Sequence, residues 1–247
     1  MHPVLFELGP VRFYSYGLLI AVGFLAANAL AVRRASAAGL DPSRIQSIAL
    51  TALVAGLVGG RLAYVLFQWE LFRGQPLEIL RLDHGGLVFF GGLAGGLAGG
   101  VWAIRRAGLP VARTVDLLIP PLVIGHAFGR IGCFLNGCCY GKFTSLPWGV
   151  RFPSELFRRH PTQIYEALAL LAIFFLLKRL ERRGPRPGTV LLAYGLLYGC
   201  WRFLVEFLRA DNPPAALNLT VFQWISLAAA AFCAALLLAR RFRAGHG

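Results

Sequence analysis

The stretch that decides the fold is YSYGLLIAVGFLAANALAV, residues 14–32, which contains no charged side chain. As an α-helix it would be about 28 Å long at ~1.5 Å per residue, close to the ~30 Å hydrocarbon thickness of a bilayer. The whole chain has the same character, since 57% of its 247 residues are apolar and only 15% are charged. Ordinary soluble domains carry about 25% charged residues. The composition predicts an integral membrane protein, excludes a disordered chain and disfavours a soluble enzyme.

Seven apolar segments have the length of a membrane-spanning helix, so the predicted fold class is an all-α integral membrane protein with seven transmembrane helices. The predicted spans are 14–32, 46–67, 87–104, 114–135, 162–180, 188–208 and 218–239. Residues 1–247 would then form a single transmembrane domain. The longest connection, 136–161, contains prolines and charges and is predicted to fold as a small head at one membrane face.

The distribution of basic residues predicts the orientation. More than half of the 25 Lys and Arg lie in one set of loops and span ends, for example Arg33-Arg34, Arg105-Arg106 and Arg240-Arg241. The positive-inside rule places these in the cytoplasm. The N-terminus and the 136–161 head are then outside, and the C-terminus is cytoplasmic.

This rule leaves part of the net charge of +14 unexplained. The remaining basic residues, including Arg61, Arg130 and Arg202, lie at or near the predicted outer face. An anionic ligand at the outer leaflet would account for them. Nucleic acid is a poor candidate, because few aromatic residues are interleaved with them on a soluble surface.

Glycines recur at helical spacing in the third predicted span, GGLAGGLAGG at 91–100, and as Gly56 and Gly60 in the second. Small residues four apart allow close approach of a neighbouring helix backbone. A phosphate-binding loop is not indicated, because no strand precedes the run and no Lys-Ser or Lys-Thr follows it. Close helix packing is the interpretation at both places.

Four polar residues recur every fourth position in the sixth predicted span: Tyr194, Tyr198, Arg202 and Glu206. They would form one stripe along a helix. Charged residues inside a span are costly and usually face a polar cavity. Arg202 is therefore predicted to face an anionic substrate, with Glu206 and the tyrosines fixing it. The alternative is an ion pair that locks two helices.

The fourth predicted span ends in GRIGCFLNGCCYGK at 129–142. Arg130, Asn136 and the amides of the glycine-rich turn could donate to phosphate oxygens; Arg130 could instead snorkel to the interface. The cysteines here could bind a metal or act in redox chemistry, but small apolar filler is the favoured interpretation. No metal site or cofactor is predicted.

Two weaker candidates lie at span beginnings. HPTQIYE at 160–166 opens the fifth span, where Gln163 and Glu166 would share a face, although helix capping by Thr162 explains part of this pattern. Tyr14 and Tyr16 open the first span, where anchoring of aromatic rings at the membrane interface is an equal alternative.

Taken together, these residues make the sequence resemble the prolipoprotein diacylglyceryl transferase family. The resemblance runs through nearly the whole chain in family order, and the arginine–glycine signature is its most specific part. The matching stretches are Tyr16-Gly17, Gly59-Gly60-Arg61 with Tyr64, Gly85-Gly86, Gly91-Gly92-Leu93, Gly129–Gly141, His160–Glu166, and Tyr198-Gly199 through Arg202, Glu206-Phe207 and Arg209.

The resemblance implies transfer of the diacylglyceryl group of phosphatidylglycerol to the lipobox cysteine thiol of prolipoproteins, with formation of a thioether and release of glycerol 1-phosphate. It also implies a bacterial inner-membrane location with the active site towards the periplasm. The partners would be phosphatidylglycerol, prolipoprotein signal peptides and the bilayer. A transporter or flippase for an anionic lipid or small organic anion is the alternative.

Residue roles follow from the same resemblance. Arg130 matches the family arginine that binds the lipid headgroup, and Arg202 matches its second essential arginine. Other motif positions are matched by Tyr16, Asn136, Gly141 and Glu206. Together with His126, which is proposed below from its position on the helix, the predicted site comprises catalytic Arg202, Arg130, Tyr16 and His126, and substrate-binding Arg130, Asn136, Gly141, Glu206, Tyr198 and Arg61.

The chain departs from the family pattern at three positions. Phe90 stands where many members have a histidine, and Cys133 and Cys138 stand where others have Asn and Glu. If a base helps to deprotonate the incoming thiol, another group must supply it. We expect His126, four residues before Arg130 and on the same helix face, to be that base. The other candidates are His84, His160, Tyr16 and Glu206, and the alternative is that His126 only hydrogen-bonds a neighbouring helix.

Overall fold

A computed structural model describes residues 3–8, 11–81, 85–153 and 155–242 of the chain. This part of the protein is mostly helical, as predicted. Its helices are α1 (Ser15–Ala37), α2 (Pro42–Phe67), the short α3 (Trp69–Phe72), α4 (Phe89–Arg106), α5 (Val111–Asn136), α6 (Thr162–Glu181), α7 (Thr189–Glu206) and α8 (Val221–Phe242). His84 lies outside the described residues.

Each predicted span coincides with one long helix, but several helix ends differ from the prediction. Helix α1 continues through Arg33 and Arg34 and stops before Gly39, whose positive φ of 69° ends the helix. Helix α4 likewise includes Arg105 and Arg106 and stops before Gly108. Arginine is a good helix former, so the helix continues through these residues. The predicted ends had been placed where the apolar run stops.

Four of the helices are long and apolar enough to cross a membrane by length and composition. Among the described residues these are α1, α2, α5 and α8. The protein is therefore a helical membrane protein with at least these candidate spans. Crossing by α4, α6 and α7 remains a prediction.

The prediction of an all-α fold omitted two short antiparallel hairpins. Strand β1 (Val4–Leu8) pairs with β2 (Val11–Tyr14), and the Ser15 amide donates to the Pro3 carbonyl at 2.9 Å. Strand β3 (Val150–Arg151) pairs with β4 (Arg158–Arg159). These pairs are too short to leave a clear alternating pattern in the sequence.

The chain forms two compact units, of which the second comprises residues 30–114. Inside this unit the glycines of α2 and α4 meet. A Cβ added at Gly59 would lie 2.5 Å from the carbonyl oxygen of Gly91, and one at Gly95 would lie 2.3 Å from that of Ala55. The close helix packing predicted from the glycine spacing is confirmed here.

The first unit comprises residues 1–29 and 115–247. Its apolar core joins α5, α6 and α7, with Val123, Leu170 and Leu177 fully buried. The carboxylate of Asp116 accepts hydrogen bonds from the Gly188 and Leu191 amides at 2.6 and 2.9 Å, which fixes the start of α7 against α5. This packing positions the polar residues further along the same helices.

The connection between α5 and α6 is folded, as predicted for the head. Phe152 is buried beneath the ring of Tyr140, with ring centroids 4.7 Å apart. Glu155 accepts a 2.6 Å hydrogen bond from the Tyr140 hydroxyl and pairs with Arg159. Its position at a membrane face stays a prediction.

Candidate functional site

A buried ion pair in the first unit forms the centre of the candidate site. Arg130 on α5 and Glu166 on α6 are 2.9 Å apart, and the Glu166 side chain is completely inaccessible to solvent. Tyr198 on α7 donates to the same carboxylate oxygen at 3.0 Å and lies 3.5 Å from Arg130 Nη2. Three helices thus contribute one polar residue each to this centre.

Arg130 retains unused hydrogen-bonding capacity. Its Nε is buried and has no hydrogen-bond partner among the described residues. A buried donor without a partner is costly and is a common feature of binding sites. The guanidinium could donate to an anionic oxygen without giving up Glu166.

A second charged cluster surrounds Glu206, the last residue of α7. Its carboxylate accepts from Asn212 at 2.6 Å and from Thr220 at 2.8 Å. Arg202 Nη1 lies 2.6 Å from Glu206 Oε2 as an ion pair, without the geometry of a directed hydrogen bond. Because both residues are on α7, this pair by itself does not lock two helices. The predicted stripe along one helix is confirmed.

Arg209 connects the two clusters. It is buried, lies 3.7 Å from Glu166 and 3.8 Å from Glu206, and makes a forked pair with Asp211. Guanidinium groups and carboxylates therefore alternate from Arg130 to Arg202. Such alternation keeps each buried charge compensated.

His126 lies one helical turn before Arg130 on α5. Its Nδ1 is 3.4 Å from the Tyr194 hydroxyl, and its ring packs edge-to-face on Tyr198 with centroids 5.1 Å apart. Tyr194 and Tyr198 are themselves stacked. His126 is thus held beside the Arg130 centre by both tyrosines of the predicted stripe.

Tyr16 packs against α5 at Gly132, two residues after Arg130. A Cβ at Gly132 would lie 3.3 Å from the Tyr16 ring, so this glycine admits the tyrosine close to the helix backbone. Tyr16 is 42% exposed and therefore open to a ligand. Arg130 and the cysteine thiols that follow it on the chain lie within electrostatic range of its hydroxyl.

Three cysteine thiols lie close together where α5 ends. The sulfur atoms of Cys133, Cys138 and Cys139 all lie within 4.8 Å of one another, with intermediate exposure. The sequence interpretation favoured apolar filler, with a metal or redox site as the alternative, and did not predict that the three thiols meet. The spacing C-x4-C-C was the available signal, but only the tight turn after Asn136 brings the thiols together.

Gly141 makes a steric contribution that the sequence did not reveal. A Cβ there would lie 2.5 Å from the Leu208 carbonyl oxygen and 2.7 Å from His160 Cβ. Its amide donates to the His160 carbonyl at 2.8 Å, and it forms a β-bridge with Arg209. Gly141 thus lets the head pass directly against the Arg209 segment. Its contact with substrate stays a prediction.

Arg61 belongs to the second unit and is saturated by backbone. Its guanidinium donates to five carbonyl oxygens at 2.6–3.2 Å, and the cation also lies over the rings of Tyr64 and Phe72. The acceptors are Glu78, Ile79, Arg81, Gly85 and Gly86. All five N–H groups of a guanidinium are then used. This geometry favours a structural role, and the predicted substrate-binding role remains a prediction.

A cavity of about 620 Å³ opens beside the Glu206 cluster. Its lining includes the charged residues Lys142, Arg209 and Asp211 and the apolar residues Phe207 and Pro214. A cavity that combines a few charged groups with apolar walls can hold an amphipathic molecule.

The fold and the site together define a helical membrane protein in which arginines and carboxylates from several helices form a buried charged network. The chain belongs to the prolipoprotein diacylglyceryl transferase family, because the model of that family matches residues 3–239.

Curated relatives agree with the family assignment. The chain is 37% identical over 232 residues to the phosphatidylglycerol–prolipoprotein diacylglyceryl transferase of Clostridium tetani, an alignment that covers 92% of this chain and 93% of the relative. It is 38% identical over 230 residues to the enzyme of the same name from Pasteurella multocida, covering 91% and 84% of the two chains.

The structure therefore brings together most of the predicted site in one unit. Helix α5 carries His126 and Arg130, and helix α7 carries Tyr198, Arg202 and Glu206. Sequence reasoning named Glu166 only as a weaker candidate and did not place Arg209 in the site, although both stand in the stretches that carry the family resemblance.

Proposed function

We propose that this protein transfers the diacylglyceryl group of phosphatidylglycerol to the lipobox cysteine thiol of prolipoproteins, forming a thioether and releasing glycerol 1-phosphate. The family membership and the shared name of the curated relatives support transfer over transport of an anionic lipid. The observation that carries the proposal is Arg130 on the apolar helix α5, because its buried Nε has no hydrogen-bond partner among the described residues.

The chemistry explains why fixed guanidinium groups are needed. The thiolate sulfur attacks the carbon of the diacylglyceryl group that bears the phosphate. A C–S bond forms there, and the bond between that carbon and the phosphate oxygen breaks. Glycerol 1-phosphate leaves with the electron pair and gains negative charge. Arg130 would stabilise this charge best, because a preorganised donor in a water-poor site does not have to reorient. Arg202, 13% exposed at its side chain, would be the second cation.

The decisive experiment compares Arg130→Ala and Arg130→Lys with Arg73→Ala in purified protein given labelled phosphatidylglycerol and a lipobox peptide. Arg73 is a suitable control because its side chain is 65% exposed and forms an exposed ion pair with Glu70. Loss of a charge-assisted contact should lower transfer roughly 10- to 150-fold. Arg130→Lys keeps the charge opposite Glu166 but lacks the planar fork, so it separates misfolding from lost phosphate binding. Turnover of Arg130→Ala equal to that of Arg73→Ala would refute the assignment.

The proposed topology has seven spans in the bacterial inner membrane, with the head and the active site facing the periplasm. The basic residues at the ends of α1, α4 and α8 support this orientation. A cysteine at Leu156, which is 77% exposed in the head, should react with an impermeant thiol reagent in intact cells. A cysteine at Ser36 should react only after lysis. The reverse pattern would overturn the orientation.

We also propose His126 as the base for the incoming thiol. Its position beside Tyr194, Tyr198 and Arg130 supports this, although the same contacts also serve helix packing. His126→Phe should lower turnover by ~10²-fold or more while phosphatidylglycerol still binds. Adding Phe90→His should partly restore activity if a histidine can act from that position. Full activity of His126→Phe at neutral pH would leave the histidine with a packing role only.

A further inference from the structure

The thiol cluster at the end of α5 has a geometry that the proposed transfer reaction does not use. Cys133, Cys138 and Cys139 form it, and their sulfur atoms lie within 4.8 Å of one another. Three thiolates around one metal ion with ~2.3 Å bonds are about 3.8–4.0 Å apart. The cluster could therefore close on an ion with sulfur movements of less than about 1 Å.

The local backbone holds the thiols in this arrangement. Gly137 and Cys139 have positive φ values of 75° and 63°, which turn the chain back onto the end of α5. The Cys138 amide then donates to the Cys133 carbonyl at 3.1 Å. A positive φ is unusual for a residue with a side chain and tends to mark functional positions.

The start of α6 fixes the same turn from the other side. Gln163 Nε2 donates to the Cys138 carbonyl at 2.6 Å, and Thr162 Oγ1 donates to the Cys139 carbonyl at 2.8 Å. Both side chains are buried. Outer contacts of this kind orient metal ligands and preorganise a site.

Two arginine cations lie close to the cluster. Arg130 interacts electrostatically with Cys133, and Arg209 with Cys139. The Cys138 thiol lies against the end of α5, where its sulfur donates to the Cys133 carbonyl at 3.6 Å. All three cysteines have intermediate exposure, so an ion could reach them.

We propose that Cys133, Cys138 and Cys139 form a three-thiolate site for a thiophilic d10 metal ion, Zn(II) or Cu(I). Soft sulfur ligands select these ions over Mg(II) and Ca(II). Binding replaces three S–H protons with one ion and leaves a net negative complex beside Arg130. If the proposed transfer reaction is correct, that complex competes with the lipid phosphate for Arg130, and the bound ion inhibits transfer.

The test uses reduced full-length protein with Cys200→Ser and Cys233→Ser, which leaves only the cluster thiols. Cd(II) serves as a spectroscopic probe for a Zn(II)-type ion, and Cu(I) is added in a separate arm as its acetonitrile complex. One ion per protein should bind with an ultraviolet sulfur-to-metal charge-transfer band. Each single serine substitution in the cluster should weaken binding by at least about 100-fold.

A second measurement uses the wild-type chain, so that its result cannot come from misfolding of a serine variant. In the wild-type chain, Cd(II) should protect the three cluster cysteines from alkylation, as read by mass spectrometry, and leave Cys200 reactive. Binding that persists in all three serine variants, or alkylation unaffected by Cd(II), would overturn the proposal. Loss of two hydrogens from the cluster in place of metal uptake would identify a disulfide pair and would also overturn it.

The two proposals fail separately. Metal uptake is read from absorbance and alkylation, so it stands or falls without the transfer assay. Inhibition is read as lost transfer at one bound Cd(II) per protein, restored by a chelator. A protein that binds Cd(II) but never transfers lipid would refute the proposed function alone.

Discussion

Replacing Glu166 should be the most damaging single change in the charged network. Its side chain has no solvent exposure, pairs with Arg130 at 2.9 Å and accepts from Tyr198 at 3.0 Å. Glu166→Ala removes the carboxylate and leaves the charge of Arg130, whose side chain is only 19% exposed, without this partner. Breaking a buried ion pair from one side costs about 3–5 kcal/mol.

Other contributions are too small to hide this effect. A side-chain hydrogen bond such as Tyr198–Glu166 contributes on average about 0.6 kcal/mol in a helical membrane protein. An exposed ion pair contributes about 0.2–1 kcal/mol. Glu70→Ala is therefore the matched control, because Glu70 also pairs with an arginine, at 3.2 Å, but its side chain is 76% exposed.

Thermal unfolding in one detergent measures the difference. At about 2–4 °C per kcal/mol, Glu166→Ala should lower the Tm by roughly 6–20 °C. Glu166→Gln should have a smaller effect, since it keeps the volume and the acceptor for Tyr198. Combining Glu166→Ala with Arg130→Ala should cost less than the sum of the single changes. A Tm of Glu166→Ala within about 2 °C of Glu70→Ala would refute the argument.

Three further changes test other parts of the fold. Gly141→Ala should lower the free energy of unfolding by about 1–3 kcal/mol because its Cβ would meet backbone, whereas Gly74→Ala, with open space around it, should not; equal Tm values for the two would contradict this. Arg61→Lys should make residues 76–81 and 85–88 more sensitive to proteases, since an ammonium has three donors for the five carbonyls that Arg61 now binds; unchanged cleavage would exclude the structural role. The Tyr140 hydroxyl, and then Arg159, lower the pKa of Glu155 in the head. That stabilisation is complete above the unfolded pKa of about 4.3 and is lost as pH falls through the lower folded pKa. The Tm measured from pH 7 to pH 3 should therefore fall less steeply in Glu155→Gln, and identical pH profiles would contradict this.

The helices were predictable because their signal is local. Each apolar run became one helix, and the four-residue spacing alone was enough to place Tyr194, Tyr198, Arg202 and Glu206 along α7. Helix ends were less predictable, since Arg33 and Arg34 are helical although they end the apolar run. The two hairpins were not predicted, because strands of two to five residues leave almost no alternating pattern of apolar and polar residues in the sequence.

The site was predictable only where one helix carries it. Arg130 was identified from its glycine-rich signature, but its pairing with Glu166 depends on how α5 and α6 pack, which no local pattern encodes. The thiol cluster depends on two left-handed residues after α5. A cysteine such as Cys139 gives no sequence signal that it will adopt that conformation.

The contact between α2 and α4 also restricts how these helices can move. At Gly59, Gly91 and Gly95 only a hydrogen atom fits between the two backbones. The residues that precede these glycines are Val58, Phe90 and Ala94, so a slide that brings them to the contact would place a side chain in that space. The pair therefore resists sliding in that direction, and such a disturbance at one end of α2 would be transmitted to α4 as a rigid displacement instead of being absorbed by slippage.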